Sequence, residues 1–333
     1  MKALLSLFLT LLVTISSAEP APVASGKDSK RAAWLASAKY GVFIHFLGGG
    51  PKWQEKVDAF DVEACASEME QAGAAYVFIT LGQNSGYTCS PNSVYEKYTG
   101  YKPNERCSKR DLPMELAAAL SKRKIRMLLY LPSRAPQRDQ QAMQGLSDVA
   151  ERQPAPQAFT RKWSEVIREW SERYGDKVSG WWFDGSYNTA GWDDLKQPCN
   201  WTTWAAVCRA GNPQSILAFN PGTKLPKAFQ SLTDQQDYTA GEQKKLGATP
   251  QTNPSPKGMQ WHLLTYLGSS WGKAKPEGDT RFTDQEIIDA IRTINAQGGA
   301  VSLDVAHTNG RINPGHLRQL MAVKKALRGE LDR

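Results

Sequence analysis

The stretch best suited to chemistry is an apolar segment that ends in a carboxylate. Residues 178–183 have the length and composition of a short buried strand, and Asp184 follows directly, with Gly185 next. In a barrel of parallel strands, catalytic side chains lie at the carboxyl ends of the strands. An aspartate there can also cap a turn or a helix, but Trp181 and Trp182 favour a sugar site, which combines aromatic walls with a carboxylate. The sequence therefore predicts that Asp184 is catalytic.

The ends of the other predicted strands supply more polar and aromatic side chains. The set contains a second carboxylate, Glu242, but no glycine-rich loop with the lysine that a phosphate site requires. The candidates for substrate contact are His45, Asn84, Tyr87, Tyr130, Trp182, Asn220, Trp261, His262 and Trp271. Because parallel strands end at one face of a barrel, we expect these side chains to converge.

Several of these candidates have a structural alternative. His45 could be a core histidine bonded to the backbone, which is common at strand ends. Glu242 could be a solvated acid neutralised by Lys244 and Lys245. An aromatic residue at a strand end, Trp181 included, could simply fill the barrel interior.

Eight strand-like segments, most of them followed by a helix-like pattern, run along the chain. Strands are predicted at 40–47, 76–82, 126–132, 178–185, 215–222, 235–242, 259–266 and 300–306. Helices are predicted at 61–72, 112–124, 158–174, 201–210, 284–297 and 314–328. The alternation predicts an α/β protein in which residues 19–333 form a single (β/α)8 barrel domain. The loops 82–110 and 131–157 are expected to build its mouth, and 241–257 shows no helical pattern.

The first 18 residues have the layout of a cleavable secretory signal. They contain one lysine, an apolar run from Ala3 to Ile15, and small residues before Glu19. This run is too short to span a bilayer, and no later run approaches membrane length. We therefore expect an exported protein, secreted or periplasmic, that is not anchored in a membrane.

The charge pattern argues against nucleic acid as a partner. The chain carries a formal charge of +8, which falls by one if Lys2 is removed with the leader. Basic residues alternate with acidic ones along the predicted helices, without a basic stripe of interleaved aromatics. The excess of positive charge is compatible with weak attraction to anionic glycans.

Five cysteines in an exported chain suggest one or two disulfides. Disulfides Cys89–Cys107 and Cys199–Cys208 are favoured because each would close a short loop. Cys65 lies in a helical pattern and is predicted to be a buried thiol. The four histidines are scattered and no metal-binding spacing is present, so we expect neither a metal nor a cofactor.

Four motifs together resemble glycoside hydrolase family 29, the retaining α-L-fucosidases. They are Tyr-Gly-Val-Phe-Ile-His at 40–45, Gly-Trp-Trp-Phe-Asp-Gly at 180–185, Asp-Tyr-Thr-Ala-Gly-Glu-Gln at 237–243, and the stretch Gly-Gly-Ala-Val-Ser-Leu-Asp-Val-Ala-His-Thr-Asn-Gly-Arg-Ile at 298–312. They occur in the family order and span nearly the whole mature chain. The resemblance implies that Asp184 is the nucleophile, that Glu242 is the acid/base, and that His307 lies in a segment that shapes the last loop.

The chain also departs from the family pattern, which marks it as a divergent relative. Relatives carry a His-His-Asp-Gly-Phe run after strand two whose histidines bind fucose hydroxyls, whereas this chain has Asn84 and Tyr87 in that region. A Trp-Glu pair near strand seven is here Trp261-His262, and the β-sandwich that often follows the barrel is missing.

The resemblance implies an exported exo-acting α-L-fucosidase that acts on fucosylated oligosaccharides by double displacement. Two carboxyl groups about 5 to 6 Å apart are then required. We expect Asp184 to be ionised through hydrogen bonds from His45 or Asn84, and Glu242 to have a raised pKa. Two alternatives stay open: the same mechanism on another sugar such as an α-galactoside, or a carbohydrate-binding barrel without catalysis. The oligomeric state is unknown.

Overall fold

Seven parallel strands form one curled sheet with helices on its outer side. The computed structural model describes residues 30–150, 152–246, 250–275 and 280–331, so the predicted leader 1–18 lies outside the described residues. The strands are β1 (Tyr40–Ile44), β2 (Tyr76–Thr80), β3 (Arg126–Pro132), β4 (Gly180–Asp184), β5 (Ile216–Phe219), β6 (His262–Tyr266) and β7 (Ala300–Val305). Their order in the sheet is β5-β4-β3-β2-β1-β7-β6. The predicted α/β barrel architecture is thereby confirmed.

The predicted strand 235–242 occupies the remaining position, between β5 and β6. Asp237 N donates to Leu217 O at 2.9 Å on one side, and Gln243 N donates to Leu264 O at 2.8 Å on the other. The segment thus connects the two edge strands and completes the eighth position of the barrel.

This segment does not pair as a continuous strand, unlike the prediction. It makes only isolated parallel bridges, one of them between Glu242 and Leu264. The physical reason lies at Gly241, which has a φ of 65° and lies so close to β6 that a Cβ would be 1.9 Å from His262 O. The resulting bend brings Glu242 to the carboxyl end of the barrel.

The helices surround the sheet and follow the predicted apolar periodicity. Those predicted from sequence are α3 (Val62–Ala72), α5 (Leu112–Ser121), α7 (Gln157–Tyr174), α9 (Trp201–Cys208), α10 (Asp284–Ala296) and α11 (Pro314–Leu331). Polar N-cap residues stabilise the first turns of several helices. At α3, Asp61 accepts from Ala64 N, and at α10, Thr283 forms a capping box with Glu286.

Shorter helices lie outside the predicted set. They are α1 (Ala33–Ala38), α2 (Trp53–Asp58), α4 (Ser93–Thr99), α6 (Gln140–Gly145) and α8 (Ala190–Asp193). Helices α4 and α6 lie within the two long loops that were expected to build the mouth. A short hairpin, β8 (His307–Thr308) with β9 (Arg311–Ile312), precedes α11. None of the described helices is both long enough and apolar enough to cross a bilayer.

Successive side chains of each strand point to opposite faces of the sheet, and this alternation divides the core into two layers. On β4, Trp181 and Phe183 pack under the outer helices, whereas Trp182 packs inside the barrel with Phe43 and Tyr130. Trp181 donates its indole N–H to Cys208 O at 3.0 Å, so it belongs to the helix layer and not to the mouth. The same alternation places Asp184 on the inner face, two residues after Trp182.

All five cysteines are free thiols, so the two predicted disulfides are wrong. Cys199 and Cys208 lie at opposite ends of α9, and an eight-residue helix rises about 12 Å, well beyond the span of a disulfide. Cys89 and Cys107 direct their thiols to different carbonyls, those of Thr80 and Asn92. Cys65 is fully buried, as predicted.

We expect a thiol reagent to modify Cys199 in the native protein and the other four cysteines only after unfolding. Cys199 is half-buried, whereas Cys65, Cys89, Cys107 and Cys208 are fully buried. Burial also raises the pKa of Cys107 to about 12, which keeps the reactive thiolate scarce. Mass spectrometry before and after addition of denaturant counts the labelled sites. Rapid native labelling of several cysteines would contradict the burial of these four thiols.

Candidate active site

A cavity of about 180 Å³ opens at the carboxyl end of the barrel. Its lining residues are His45, Leu47, Gln83, Tyr130, Trp182, Asp184, Glu242, Leu264 and Trp271. Six residues predicted from the sequence therefore meet here, and a seventh, Asn220, contacts both carboxylates from behind. The structure adds Gln83, which directly precedes the predicted Asn84, and the apolar Leu47 and Leu264, which strand-end chemistry did not indicate.

The carboxylate of Asp184 is held by three donors. Tyr130 Oη donates to Oδ2 at 2.7 Å, while Asn220 Nδ2 and the Gly185 N–H donate to Oδ1 at 2.9 and 2.8 Å. These donors replace His45 and Asn84, which the sequence analysis expected in this role. The remaining face of the carboxylate lines the cavity.

Tyr130 is suited to its role as a donor. Burial and the neighbouring charge of Asp184 raise the pKa of its hydroxyl well above its ordinary value, so the proton stays on the phenol oxygen. Its ring stacks on Trp182 with centroids 5.5 Å apart. Trp182 is fixed in turn by an indole N–H bond to Ala240 O at 3.1 Å, and the two rings form the aromatic base of the cavity.

Glu242 and Asp184 share one hydrogen-bond donor. Asn220 Nδ2, which donates to Asp184, also donates to Glu242 Oε2. Two oxygens bonded to the same nitrogen lie no more than about 6 Å apart. This limit is compatible with the separation of about 5 to 5.5 Å in retaining glycosidases and is shorter than the gap of inverting ones.

The surroundings of Glu242 favour its protonated form. Burial, followed by the negative charge of Asp184, raises its pKa to about 7, against the opposing effects of the Asn220 hydrogen bond, His45 and Lys244. This agrees with the expected direction. Lys244 acts against this rise without preventing it, so the alternative of a surface acid neutralised by the lysines does not describe this position. A carboxyl group that is half-protonated near neutral pH can serve as both acid and base.

His45 is oriented by Asp304, a residue that the sequence analysis did not select. His45 Nδ1 lies 2.7 Å from Asp304 Oδ1, and the Gly272 N–H donates to the other carboxylate oxygen at 2.6 Å. Asp304 is buried near the carboxyl end of β7, and its place near the end of a predicted strand was the available signal. One carboxylate thus aligns His45 and the adjacent loop that carries Trp271, whose ring lies 5.5 Å from the imidazole.

Two predicted residues, Trp261 and His262, are not brought to the cavity. Both are fully buried at the amino-terminal start of β6, whereas the cavity is at the carboxyl end, where Leu264 contributes instead. His262 bonds Ser302 Oγ at 2.7 Å, and burial lowers its pKa to about 4. Trp261 packs edge-on against Phe229. These residues fill the core.

Asn84 and Tyr87 also lie outside the cavity lining. Asn84 O accepts from Arg138 N at 2.9 Å, and the Tyr87 ring lies beside the guanidinium of Arg106, 4.5 Å from its centre. Both belong to a turn that separates the cavity from a neighbouring polar hollow. His307 stacks on Phe46 with centroids 5.7 Å apart, as a structural residue of the last loop does.

Replacement of Asp304 by asparagine should lower kcat/KM about 100-fold, because small misplacements of substrate-contacting groups are costly. The amide keeps the shape but cannot accept from both His45 and the Gly272 N–H as the carboxylate does. Affinity for the free sugar should fall in parallel. Asp289→Asn, an exposed position on α10, is the matched control. A lower thermal midpoint with unchanged sugar affinity would instead assign Asp304 a purely structural role.

A parallel barrel whose mouth holds two close carboxyl groups, one with a raised pKa, has the arrangement of a glycoside hydrolase. Comparison of the sequence with family models narrows this class. The Alpha-L-fucosidase family model matches residues 50–329, and the chain belongs to that family. No curated protein matches the chain significantly. Among the described residues, no group of three His, Cys, Asp or Glu side chains is placed to hold a metal ion.

Solved structures share the fold at low sequence identity. The endo-fucoidan hydrolase P5AFcnA from glycoside hydrolase family 107 has a TM-score of 0.68 and 16% identity, over 90% of this chain and 94% of that one. The related MfFcnA4 has a TM-score of 0.70 and 17% identity, over 91% and 54%. An alpha-L-fucosidase GH29 from Bacteroides thetaiotaomicron has a TM-score of 0.63 and 16% identity, over 91% and 76%. The chain spans about half the length of MfFcnA4.

Proposed function

We propose that this protein is an exported retaining exo-glycosidase that releases terminal α-L-fucose from oligosaccharides or glycoconjugates. The observation that carries the proposal is the carboxyl pair of Asp184 and Glu242, bridged by Asn220 at the mouth of a barrel of the Alpha-L-fucosidase family. Export rests on the leader pattern of residues 1–18.

In the first step, an Asp184 oxygen attacks the anomeric carbon while the bond to the leaving oxygen breaks. Glu242 transfers its proton to that oxygen, so the alcohol departs neutral and Glu242 becomes a carboxylate. Tyr130 and Asn220 hold the attacking carboxylate in place. Its cavity-facing oxygen can therefore attack without movement of the aromatic side chains on the cavity floor. The product of this step is a glycosyl ester of Asp184.

In the second step, Glu242 accepts a proton from water as the water oxygen attacks the same carbon. The ester bond breaks, Asp184 regains its charge, and Glu242 regains its proton. Two inversions give net retention. A GH29 alpha-L-fucosidase of similar fold, from Bacteroides thetaiotaomicron, has been captured as a trapped covalent intermediate with 2-fluoro-fucosyl fluoride, which supports this order of events.

The cavity walls favour one sugar ring over a long chain. Trp182 and Tyr130 close its base, and His45, aligned by Asp304, offers Nε2 to a ring hydroxyl. Trp271 provides an apolar wall, which suits the methyl-bearing side of a deoxy sugar. These features support exo-action on fucose.

The pH dependence follows from the raised pKa of Glu242. Because the first step needs Glu242 protonated, kcat/KM on a substrate with a poor leaving group should be lost as the pH rises through about 7, tenfold per unit above it. The direction is that of a carboxyl group whose pKa is raised: the active protonated form is fully present at lower pH. Initial rates from pH 5 to 9 test this, and a flat profile to pH 8.5 would contradict it.

The function is tested with a panel of aryl α-L-fucoside, aryl α-D-galactoside and fucosylated oligosaccharides. Proton NMR of the first-formed sugar reports the anomeric configuration. Fucose released in the retained α configuration is expected. Turnover of the galactoside alone would mean that the same mechanism acts on another sugar. Binding of fucose without any turnover between pH 4 and 8 would identify a carbohydrate-binding barrel.

A further inference from the structure

Glu242 lies on a segment that bends away from regular strand pairing just before it. The bend is at Gly241, and beyond it a single parallel bridge between Glu242 and Leu264 takes the place of a continuous ladder. Gln243 N donates to Leu264 O at 2.8 Å, whereas the next two residues are exposed. The position of the Glu242 carboxyl group therefore also depends on contacts that hold this segment from outside the sheet.

Arg281, in the loop between β6 and α10, makes such a contact. Its Nη2 donates to Lys244 O, two residues after Glu242. Its own backbone is fixed to the barrel, because Arg281 N donates to Leu267 O at 2.7 Å. A hydrogen bond from a charged donor is stronger than one from a neutral donor, so the guanidinium can hold the Lys244 carbonyl group in place.

The Arg281 guanidinium is itself held by aromatic rings behind the cavity wall. It lies 4.1 Å from the centre of the Tyr266 ring and 5.0 Å from that of Phe282. The Tyr266 ring meets Trp271 edge-on, with centroids 4.7 Å apart, and Trp271 lines the catalytic cavity. Cation–π attraction favours this position of the guanidinium. The segment that carries Glu242 is thus tied to the wall of the cavity through one arginine.

We propose that Arg281 is a positioning residue for the general acid. It holds the segment 242–244 where the Glu242 carboxyl group reaches the leaving oxygen. Arg281 is not among the described residues that line the catalytic cavity, so it acts through Glu242 and not by touching the sugar. The proposal rests on the proposed glycosidase function and adds a residue to its machinery. Proton transfer to the leaving group should depend on Arg281 more than attack by Asp184 does.

The test compares Arg281→Met with wild type on aryl α-L-fucosides whose leaving groups differ in pKa. Methionine keeps an apolar contact with Tyr266 but cannot donate to Lys244 O. We expect kcat/KM to fall about 10- to 100-fold on the substrate with the poorest leaving group and less than about threefold on the most activated one, which needs little protonation. Arg168→Met, on the exposed side of α7, is the matched control and should change neither value.

A double variant shows whether the effect passes through Glu242. In Glu242→Ala the acid is absent, so adding Arg281→Met should cause less than about threefold further loss on the poorest leaving group that this variant still cleaves. Equal losses on good and poor leaving groups, or a loss as large in the Glu242→Ala background as in wild type, would overturn the positioning role although the glycosidase proposal stands.

If wild type cleaves no fucoside, amide hydrogen exchange tests the positioning of the segment separately. The Gln243 N–H, bonded to Leu264 O, should exchange at least about tenfold faster in Arg281→Met than in wild type. The Thr239 N–H, bonded to Gln260 O before the bend, should exchange at the same rate in both proteins. Equal exchange of the Gln243 N–H in the two proteins would overturn the proposal.

Discussion

Asp184→Asn is expected to lower turnover of an aryl α-L-fucoside by at least about 10⁴-fold, while affinity for fucose stays within about tenfold. The amide has the shape of the carboxylate but cannot form the glycosyl ester. Asn220 and the Gly185 N–H can still donate to the amide oxygen, and the Tyr130 hydroxyl can rotate to accept from the amide NH2, so the substituted side chain should keep its place. Stopped assays combined with fucose titration separate the two effects. Asp194→Asn, at an exposed site after α8, is the matched control.

Rescue by azide identifies the nucleophile directly. In Asp184→Ala the missing carboxylate leaves room for azide to attack the anomeric carbon of an activated fucoside as the aryl oxide departs. One displacement then gives a fucosyl azide of inverted configuration. Recovery of only retained product, or turnover of Asp184→Asn within tenfold of wild type, is incompatible with a nucleophilic role.

Glu242→Ala should affect substrates according to their leaving groups. A natural disaccharide, whose leaving oxygen needs a proton, should lose about 10²- to 10⁴-fold in kcat/KM, the usual contribution of general acid catalysis. An aryl fucoside with a good leaving group should lose much less in its first step and should accumulate the glycosyl ester. Azide should then release a fucosyl azide of retained configuration, because two displacements have occurred. Equal losses on both substrates would mean that another group is the acid.

The raised pKa of Glu242 also predicts an effect on stability. The unfolded chain releases this proton near the ordinary value of 4.5, but the native protein holds it to about pH 7. Between these values the native state binds more protons, so the free energy of unfolding contributed by this group falls as the pH rises. Glu242→Gln should remove this fall in the free energy of unfolding. It should therefore raise the thermal midpoint at pH 8 more than at pH 4.5. An unchanged difference between the two pH values would show that Glu242 ionises normally.

Much of the barrel could be derived from local pattern. Apolar periodicity indicated the helices, and alternation with short buried runs indicated the parallel strands, because one-dimensional spacing directly reports which face is buried. Asp184 could be selected because a carboxylate at the end of a buried strand has a definite place in a barrel. The motif at 237–243 likewise indicated Glu242, which the structure brings beside Asp184 through Asn220.

Register and partner choice were decided only by the tertiary structure. Trp261 and His262 lie in the predicted strand 259–266, but β6 begins only at His262. Both residues are therefore buried at the amino-terminal end of the barrel and not at its mouth. The spacing of Cys199 and Cys208 suggested a loop closure, whereas the helix between them holds them apart.

The sequence by itself determined the barrel, its six longer helices and the two carboxylates near its mouth, because each depends on residue type and local spacing. The tertiary structure decided that Asn220 bridges those carboxylates, that Asp304 aligns His45, and that Gly241 bends the chain to present Glu242. The hydrogen bonds among these residues join positions 22 to 259 residues apart in the chain, and only the closed barrel makes them neighbours.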